Sequence, residues 1–444
     1  MGTDKPNKLY IPPSDPIGRT PFENDLFERA QLASRIQGYL GRISDGCVIE
    51  IDAAWGEGKT WFGKNLDFYL RENGHKTVFI DAFENDYVDD AFILITSELL
   101  KLINPDSTEG KALISTGKAI ASNLLPITAK ISLNLLGQYL LGKAGLGDSA
   151  SDAMGDIADS AEKWIEDGLK HSEMQKKSRE DFKASLIAFT KVQSKPVIVF
   201  IDELDRCKPT FAVQVIERIK HLFNAQNLIF VLLLNREQME AAIRGVYGDA
   251  IDASEYLGKF VQFSLTLPKK IRNPLDRRDF NREFSVEQAK RYGLLDIKEI
   301  SAFVDDFSFL ATIFELSYRD IERAFILYAM TAPNVRGIPS ALAWLIFLKL
   351  KHTEIFIRVA RNESTAHQEA AKVLLDNNNR ITGTSLSNMS VVMRGLHTAS
   401  STPNGFEVMA SETIRALVNY PNWSSISDRI IPAICEQIDL AIQK

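Results

Sequence analysis

The residues best suited to chemistry form a glycine-rich loop that runs from Ala53 to Thr60. The loop follows an apolar run, Cys47 to Ile51, which is typical of a buried parallel strand. It opens into residues 60–70, whose mixed apolar and charged pattern predicts a helix. A strand, a loop and a helix N-terminus in this order make an anion cradle, because backbone N–H groups and the helix dipole both favour negative charge. The loop therefore predicts the binding of phosphate groups.

Residue types within the loop indicate which groups would contact a nucleotide. We assign this contact to Ala54, Trp55, Gly56, Glu57, Gly58, Lys59, Thr60 and Trp61. Lys59 can reach the β- and γ-phosphates of ATP, and the Thr60 hydroxyl can ligate Mg²⁺. A methyl group at Ala53, where the usual motif has glycine, disfavours a positive φ and predicts a right-handed backbone there. The alternative is a loop-to-helix junction in which Gly-Lys-Thr occurs by chance.

Acidic residues follow a second apolar run, Val197 to Ile201. Such a run is typical of a strand buried on both faces, and open α/β sheets bind their ligands at the carboxyl ends of the strands. Asp202 is predicted to hold Mg²⁺ through water, and Glu203 to polarise the water that attacks the γ-phosphate. Asp205 and Arg206 are predicted to pair with each other in support of this loop. The alternative is a strand followed by a solvated acidic turn.

Composition limits the class of protein. The chain of 444 residues is long enough for two or three domains, and 45% hydrophobic with 25% charged residues is ordinary for a globular protein. A net charge of −6 gives no electrostatic case for a dedicated nucleic-acid or membrane-surface protein. The 3 cysteines and 6 histidines show no metal-ligand or disulfide spacing. The polar, proline-rich segment 1–16 is unlike a secretory signal, so a cytoplasmic location is predicted.

Further apolar runs place the remaining strands and divide the chain. Strands are predicted at Thr77–Asp81, at Leu228–Leu234 and, as an alternating edge strand, at Val261–Leu267. Five regions follow: an N-terminal arm at 1–24, a sheet core at 25–104 and 186–270, a helical insertion at 105–185, a helical lid at 271–345, and a C-terminal helical domain at 346–444.

Four segments of the chain together resemble the KAP family of P-loop NTPases. They are residues 25–29, 54–60, 199–207 and 256–262, within a resemblance that covers about residues 15–335. The family is a branch of the additional-strand ATPases, related to AAA+ and NACHT-type signalling ATPases. The resemblance implies an α/β P-loop NTPase fold, with a parallel sheet of order 5-1-4-3-2, a helical insertion, and a C-terminal α-helical lid and tail. The chain departs from the family pattern at Glu203, often aspartate there, and at Leu234-Asn235.

The resemblance also implies catalytic roles, in addition to that of Glu203. Asn235 occupies the sensor-1 position, where it would orient the attacking water; as an alternative, it caps the helix that follows. Lys259 precedes Phe260 where AAA+ proteins often have an arginine finger, so a neighbouring subunit would supply this cation.

Arg319 resembles a sensor-2 arginine that opens a lid helix. The alternative for this side chain is an ion pair with Asp320 or Glu322 on a solvated face.

Two functions compete on this sequence. The first is an ATP-hydrolysing, Mg²⁺-dependent switch that assembles as a homo-oligomer; because the family is common in bacterial defence operons, antiphage defence or signalling is the expected setting. The second is an ATP-stabilised scaffold with little turnover that recruits an effector protein through its helical regions. Glu203 and Asn235 favour the first, whereas Ala53 and the lack of a true arginine finger favour the second.

Two further segments bear on membrane and nucleic-acid partners. The apolar stretches 119–129 and 131–142 run only about a dozen residues each, whereas a spanning helix needs about 20, so no transmembrane segment is predicted. They suit a packed helical hairpin or an oligomerisation surface, with membrane-interface binding as a further alternative. The basic cluster at 269–272, with Arg277 and Arg278, suits either a solvated linker or a nucleic-acid contact.

Overall fold

Five parallel strands form the sheet of this protein. They are β1 (Cys47–Asp52), β2 (Thr77–Asp81), β3 (Val197–Asp202), β4 (Leu228–Leu234) and β5 (Phe263–Thr266). Their order is β2-β3-β4-β1-β5, which is the predicted order 5-1-4-3-2 written from the other edge. Every neighbouring pair of strands is parallel. The predicted α/β P-loop NTPase fold is thus confirmed, and the central strands β3 and β4 are buried along their whole length.

The computed structural model describes a defined part of the chain. The described residues are 17–88, 90–124, 161–220, 222, 225–268, 279–297, 299–331, 339–376, 384–401 and 430–439. The basic cluster at 269–278 and most of the apolar stretches at 119–142 lie outside them, as do residues 1–16 of the predicted arm. The described part of the chain divides into two compact units, the first within residues 15–269 and the second within residues 270–444.

Helices cover both faces of the sheet in the first unit. They are α1 (Arg29–Leu40), α2 (Lys59–Glu72), α3 (Ala91–Leu100), α4 (Thr108–Leu124), α5 (Ala161–Lys191), α6 (Pro209–Lys220), α7 (Arg236–Tyr247) and α8 (Ala253–Gly258). Side chains of α1 and α2 form one buried core with the sheet, and those of α3, α6 and α7 contribute to a second. Alternate residues of β1 enter these two cores, since Ile49 belongs to the first and Val48 to the second. Packing on both faces holds the carboxyl ends of the strands in register.

Every element of the second unit that the structure describes is a helix. They are α9 (Phe280–Arg291), α10 (Ile300–Ile313), α11 (Tyr318–Thr331), α12 (Pro339–Lys351), α13 (Thr353–Ala360), α14 (Ser364–Asp376), α15 (Thr384–Ser401) and α16 (Ile430–Ile438). The first ten residues of α12 are all buried, which identifies this helix as central to the unit. Across the described parts of both units, no helix is long and apolar enough to cross a membrane.

A chain of hydrogen bonds in the second unit joins three buried side chains, those of Trp344, His397 and His367, to the exposed Asn362. The Trp344 indole N–H donates to His397 Nε2 at 2.9 Å, the Nδ1 atoms of His397 and His367 are 2.9 Å apart, and His367 Nε2 lies 2.9 Å from Asn362 Oδ1. Because the indole only donates and the amide oxygen only accepts, His397 must carry its proton on Nδ1 and His367 on Nε2. Burial lowers the pKa of both histidines, and His367 further lowers that of His397. Both rings are therefore neutral in the folded chain.

We expect this histidine pair to make the protein less stable in mild acid. The folded-state pKa values lie below the ordinary 6.5, so only the unfolded chain takes up these protons as the pH falls below 6.5. At pH 5 the loss is about 2 kcal/mol of unfolding free energy for each histidine. Urea unfolding at pH 7 and pH 5 measures it. The double variant His367→Gln/His397→Gln should lose less stability over this interval than the wild type; equal losses would contradict the assignment.

Candidate functional site

The glycine-rich loop joins β1 to α2 in a conformation that depends on its glycines. Gly56 has a φ of 83° and Gly58 a φ of 77°, values in the left-handed region that glycine adopts without strain. Ala53 does not have a positive φ, in agreement with its methyl group. Gly58 is the N-cap residue of α2, and no side chain caps the helix there. The N-terminus of α2, with its partial positive charge, therefore faces the loop without a capping side chain.

Lys59, the first residue of α2, folds back over this loop. Its Nζ donates to the carbonyl oxygens of Ala53 at 2.6 Å and Ala54 at 3.4 Å. Only 8% of the residue is exposed, and burial lowers the pKa of Lys59, whereas the nearby carboxylates of Asp205 and Asp202 raise it. The ammonium group therefore lies inside the loop and close to the acidic residues that follow β3.

Arg29 braces the opposite side of the same loop. Its guanidinium donates to the carbonyl oxygens of Glu57 at 2.9 Å, Pro268 at 3.3 Å and Gly58 at 3.5 Å. Arg29 is 1% exposed, and a Cβ atom added at Gly58 would lie 2.9 Å from its Nη1. Arg29 and Lys59 thus bind four carbonyl groups of the loop from its two sides. Arg29 lies in one of the segments that carry the family resemblance, but its residue type and spacing predicted no role in the site.

Asp202, at the end of β3, presents a carboxylate suited to a metal ion. The residue is 1% exposed, its Oδ1 accepts the Glu203 N–H at 2.9 Å, and its Oδ2 is buried without a hydrogen-bond partner among the described residues. Burial raises the pKa of Asp202 to about 6, although the neighbouring Thr60 hydroxyl lowers it. A hydroxyl that neighbours a carboxylate with one partnerless oxygen is a donor set for a hard cation such as Mg²⁺. The two predicted metal ligands therefore lie together and fit this ion.

Glu203 has an unusual backbone conformation at the next position. Its φ of 58° lies in the left-handed region, which costs a residue with a side chain about 1–3 kcal/mol. A short 3₁₀ helix, Leu204–Arg206, follows directly. Within it, the Arg206 guanidinium contacts both carboxylate oxygens of Glu203 at 2.8 Å. The strained turn thus fixes the predicted general base next to Asp202 and gives it a cationic partner.

The predicted pair between Asp205 and Arg206 is wrong, because each side chain has another partner. Arg206 binds Glu203, and Asp205 accepts a hydrogen bond from Trp55 Nε1 at 2.5 Å. Trp55 remains 46% exposed, so its indole N–H bridges the phosphate loop and the acidic loop at the surface. Trp55 and Asp205 are 150 positions apart in the sequence, and neither segment carries a residue pattern that predicts their contact.

Asn235 follows β4, the strand that lies between β1 and β3 in the sheet. This position places it between the phosphate loop and the acidic residues. Its Oδ1 accepts the Gln238 N–H at 3.3 Å and caps α7. The capping alternative raised by the sequence is therefore realised in the structure, and it uses the amide oxygen. A role in orienting water would depend on the amide nitrogen.

Two of the predicted site residues, Lys259 and Trp61, have side-chain partners away from the phosphate loop. Lys259 follows α8, is 59% exposed, and forms an ion pair with Glu255 at 3.7 Å. Within the part of the chain that the structure describes, no ion pair or hydrogen bond joins its side chain to the phosphate loop. The Trp61 ring packs edge-on against Phe22, with 5.8 Å between ring centroids, so its side chain contributes to the core around α2.

Arg319 belongs to the second unit, where it is the second residue of α11 and is exposed. The alternative pairing with neighbouring acids is not formed. Asp320 binds Lys351 at 2.6 Å, and Glu322 binds Arg291 at 3.1 Å. The predicted sensor-2 role for Arg319 stays a prediction.

The arrangement defines the class of protein. A phosphate loop after β1, acids after β3 and a polar residue after β4 of this parallel sheet are the parts of a P-loop NTPase. Residues 29–307, more than half of the chain, match the model of the KAP family P-loop domain. The chain belongs to this family of nucleotide-binding NTPases.

Two further comparisons add little to this assignment. None of the curated protein sequences matches the chain. Among solved structures, the ORC2 protein of Aeropyrum pernix, in ADPNP and ADP complexes, is 13% identical, with a TM-score of 0.33 over 98% of this chain and 97% of that one. A TM-score this low supports no conclusion. The assignment to the family therefore depends on the family match alone.

Proposed function

We propose that this protein binds ATP with Mg²⁺ and hydrolyses it, and that the nucleotide cycle makes it a switch suited to a signalling or antiphage-defence module. One observation carries the proposal: the Thr60 hydroxyl, at the end of the phosphate loop, neighbours the Asp202 carboxylate, whose buried Oδ2 has no hydrogen-bond partner among the described residues. A loop that binds only an anion needs no such acid. A loop that binds a metal–nucleotide complex does, because the cation offsets the charge of the phosphates.

ATP and Mg²⁺ would bind to backbone and side-chain groups of the phosphate loop and to Asp202. Backbone N–H groups of residues 54–61 and the N-terminus of α2 would receive the phosphates, while Lys59 would contact the β- and γ-phosphates. Its bonds to the Ala53 and Ala54 carbonyls keep the ammonium inside the loop. Thr60 and Asp202 would hold Mg²⁺, which supplies electrostatic stabilisation of the phosphate charge when it is bound.

The chemical step would be attack of water on the γ-phosphorus. A new P–O bond forms as the bond to the β-phosphate oxygen breaks, which gives ADP and inorganic phosphate. The Glu203 carboxylate would accept the proton of the water, and the Asn235 amide would orient it. Glu203 lies directly after Asp202 in the chain, so base and metal ligand are delivered by the same strand end.

A second candidate function is an ATP-stabilised scaffold that recruits an effector with little turnover. The contact between Glu203 and Arg206 at 2.8 Å favours it, because an ion pair lowers the availability of a carboxylate as a base. The two functions differ in one measurable property, the rate of phosphate release from bound ATP. The switch requires that Glu203 serve as a base despite this contact.

We further propose that the active form is a homo-oligomer in which a neighbouring subunit supplies Lys259. Lys259 is exposed, and its single described ion pair, to Glu255, is on the surface. Surface pairs of this kind contribute about 0–1 kcal/mol, so the ammonium can exchange this partner for a phosphate.

We therefore expect Lys259→Ala to lower the ATPase rate at least tenfold while ATP binding is retained. Mixing it with Lys59→Ala should restore some activity, because each variant supplies what the other lacks. Lys191→Ala, which removes another exposed lysine, is the control. Phosphate release and light scattering with ATP and Mg²⁺ are measured together. A monomer that hydrolyses ATP at a rate per chain independent of concentration would contradict the oligomer.

A further inference from the structure

A buried acid lies in the middle of β1, the strand that leads into the phosphate loop. Glu50 is 0% exposed, and its neighbours Ile49 and Ile51 belong to the hydrophobic core. Its Oε2 accepts a hydrogen bond from Arg236 Nη1 at 2.9 Å. Burial raises the pKa of Glu50, and the charge of Arg236 is the main influence that lowers it. The fully buried Glu50 and the partly exposed Arg236 side chain therefore form an ion pair between β1 and the start of α7.

Arg236 uses the rest of its guanidinium to fix the start of α7. Its Nε donates to Glu240 at 3.1 Å, one turn along the same helix, and its Nη2 donates to Ser254 on α8 at 3.2 Å. With Glu50, these contacts join one strand and two helices at a single side chain. A lysine offers a point charge in place of this fork and cannot make all three contacts in the same geometry.

The residue that precedes Arg236 is Asn235, and it lies between two hydrogen bonds to the end of β1. On one side, the Leu234 carbonyl accepts the Ala53 N–H at 3.3 Å. On the other side, the Arg236 N–H donates to Asp52 Oδ1 at 2.9 Å. Asn235 is thus tied to the two residues that lead into the phosphate loop. The Glu50–Arg236 pair adds a third link, from the side chain that follows Asn235.

We propose that the Glu50–Arg236 pair is a positioning device that holds Asn235 in line with the phosphate loop. The role of Asn235 itself rests on the proposed function. An ion pair to a buried acid that only stabilised the fold could be replaced by apolar side chains with no change in chemistry, since replacing buried ionic pairs in this way is often neutral for stability. A positioning pair could not, because a small displacement of a group that orients a reactant lowers the rate of the chemical step.

The test uses the full-length chain with both charges replaced, Glu50→Leu/Arg236→Met, so that no unpaired buried charge is left. Arg244→Met, on the last turn of α7, is the matched control. Amide hydrogen exchange at Gln238 reports the position of Asn235, because its N–H donates to Asn235 Oδ1. ATP affinity and turnover are measured on the same samples, and thermal unfolding confirms that each variant is folded.

We expect Gln238 to exchange at least tenfold faster in the double variant, with the amides of β4 unchanged. Turnover should fall at least tenfold while the Kd for ATP stays within about threefold, and adding Asn235→Ala should lower it no further. Unchanged exchange at Gln238 would overturn the proposal. It would also be overturned if Asn235→Ala and the double variant each lowered turnover and the two losses multiplied when combined. A wild-type chain without ATPase activity would refute the proposed function, and Gln238 exchange would still decide the positioning.

Discussion

Lys59→Ala should weaken ATP binding at least a hundredfold, which corresponds to about 2.7 kcal/mol of binding free energy. The substitution removes the ammonium that would contact the β- and γ-phosphates. It also removes the bonds from Nζ to the Ala53 and Ala54 carbonyls, so the loop loses its internal cation. The backbone N–H groups and the N-terminus of α2 remain, and the fold should therefore persist.

Titration calorimetry with ATP and Mg²⁺ measures this effect, and Lys64→Ala is the matched control. Lys64 lies on the same helix, five residues later, and takes no part in the loop contacts. The control should bind ATP as the wild type does. Equal affinities for wild type and Lys59→Ala would contradict the assignment of the phosphate loop.

Glu203→Gln should separate binding from hydrolysis. The amide keeps the shape of the side chain but cannot accept the proton of the attacking water, so turnover should fall about 10²–10⁴-fold. The phosphate loop is untouched, and the affinity for ATP should stay within a fewfold of the wild type. ATP should then persist on the variant long after the wild type has released phosphate.

The matched control for this variant is Glu84→Gln, which neutralises an exposed carboxylate in the loop that follows β2. It should hydrolyse ATP at the wild-type rate. If Glu203→Gln instead turned over as fast as the wild type, Glu203 would not be the base. Asp205, which accepts the Trp55 indole N–H, would be the next candidate.

Much of the sheet could be predicted because its signals are local. Continuous apolar runs at β1, β3 and β4 are required of parallel strands covered on both faces, and all three occur as strands. The backbone at Ala53 also followed from residue type, since Ala53, as predicted from its methyl group, does not have a positive φ. The order of the strands came from the family resemblance, because no local signal specifies which strands are neighbours.

Side-chain partners could not be predicted, because they depend on contacts between distant segments. Glu50 carried a signal, since a charge inside an apolar strand must find a partner, but nothing in the sequence identified Arg236, 186 positions away. Arg29 likewise reaches a loop 28 positions later. Glu203 binds Arg206 because its left-handed φ begins a 3₁₀ turn, in which residues three apart share a face.

Single-turnover hydrolysis tests the central claim most directly. Wild-type protein in excess over ATP labelled at the γ-phosphate is mixed with Mg²⁺, and the label is followed as bound ATP and as free phosphate. If the protein is a hydrolysing switch, bound ATP is converted to ADP and phosphate. EDTA should abolish this conversion, and Glu203→Gln should slow it about 10²–10⁴-fold. Label that stays bound as intact ATP through many hours would contradict hydrolysis and favour the scaffold.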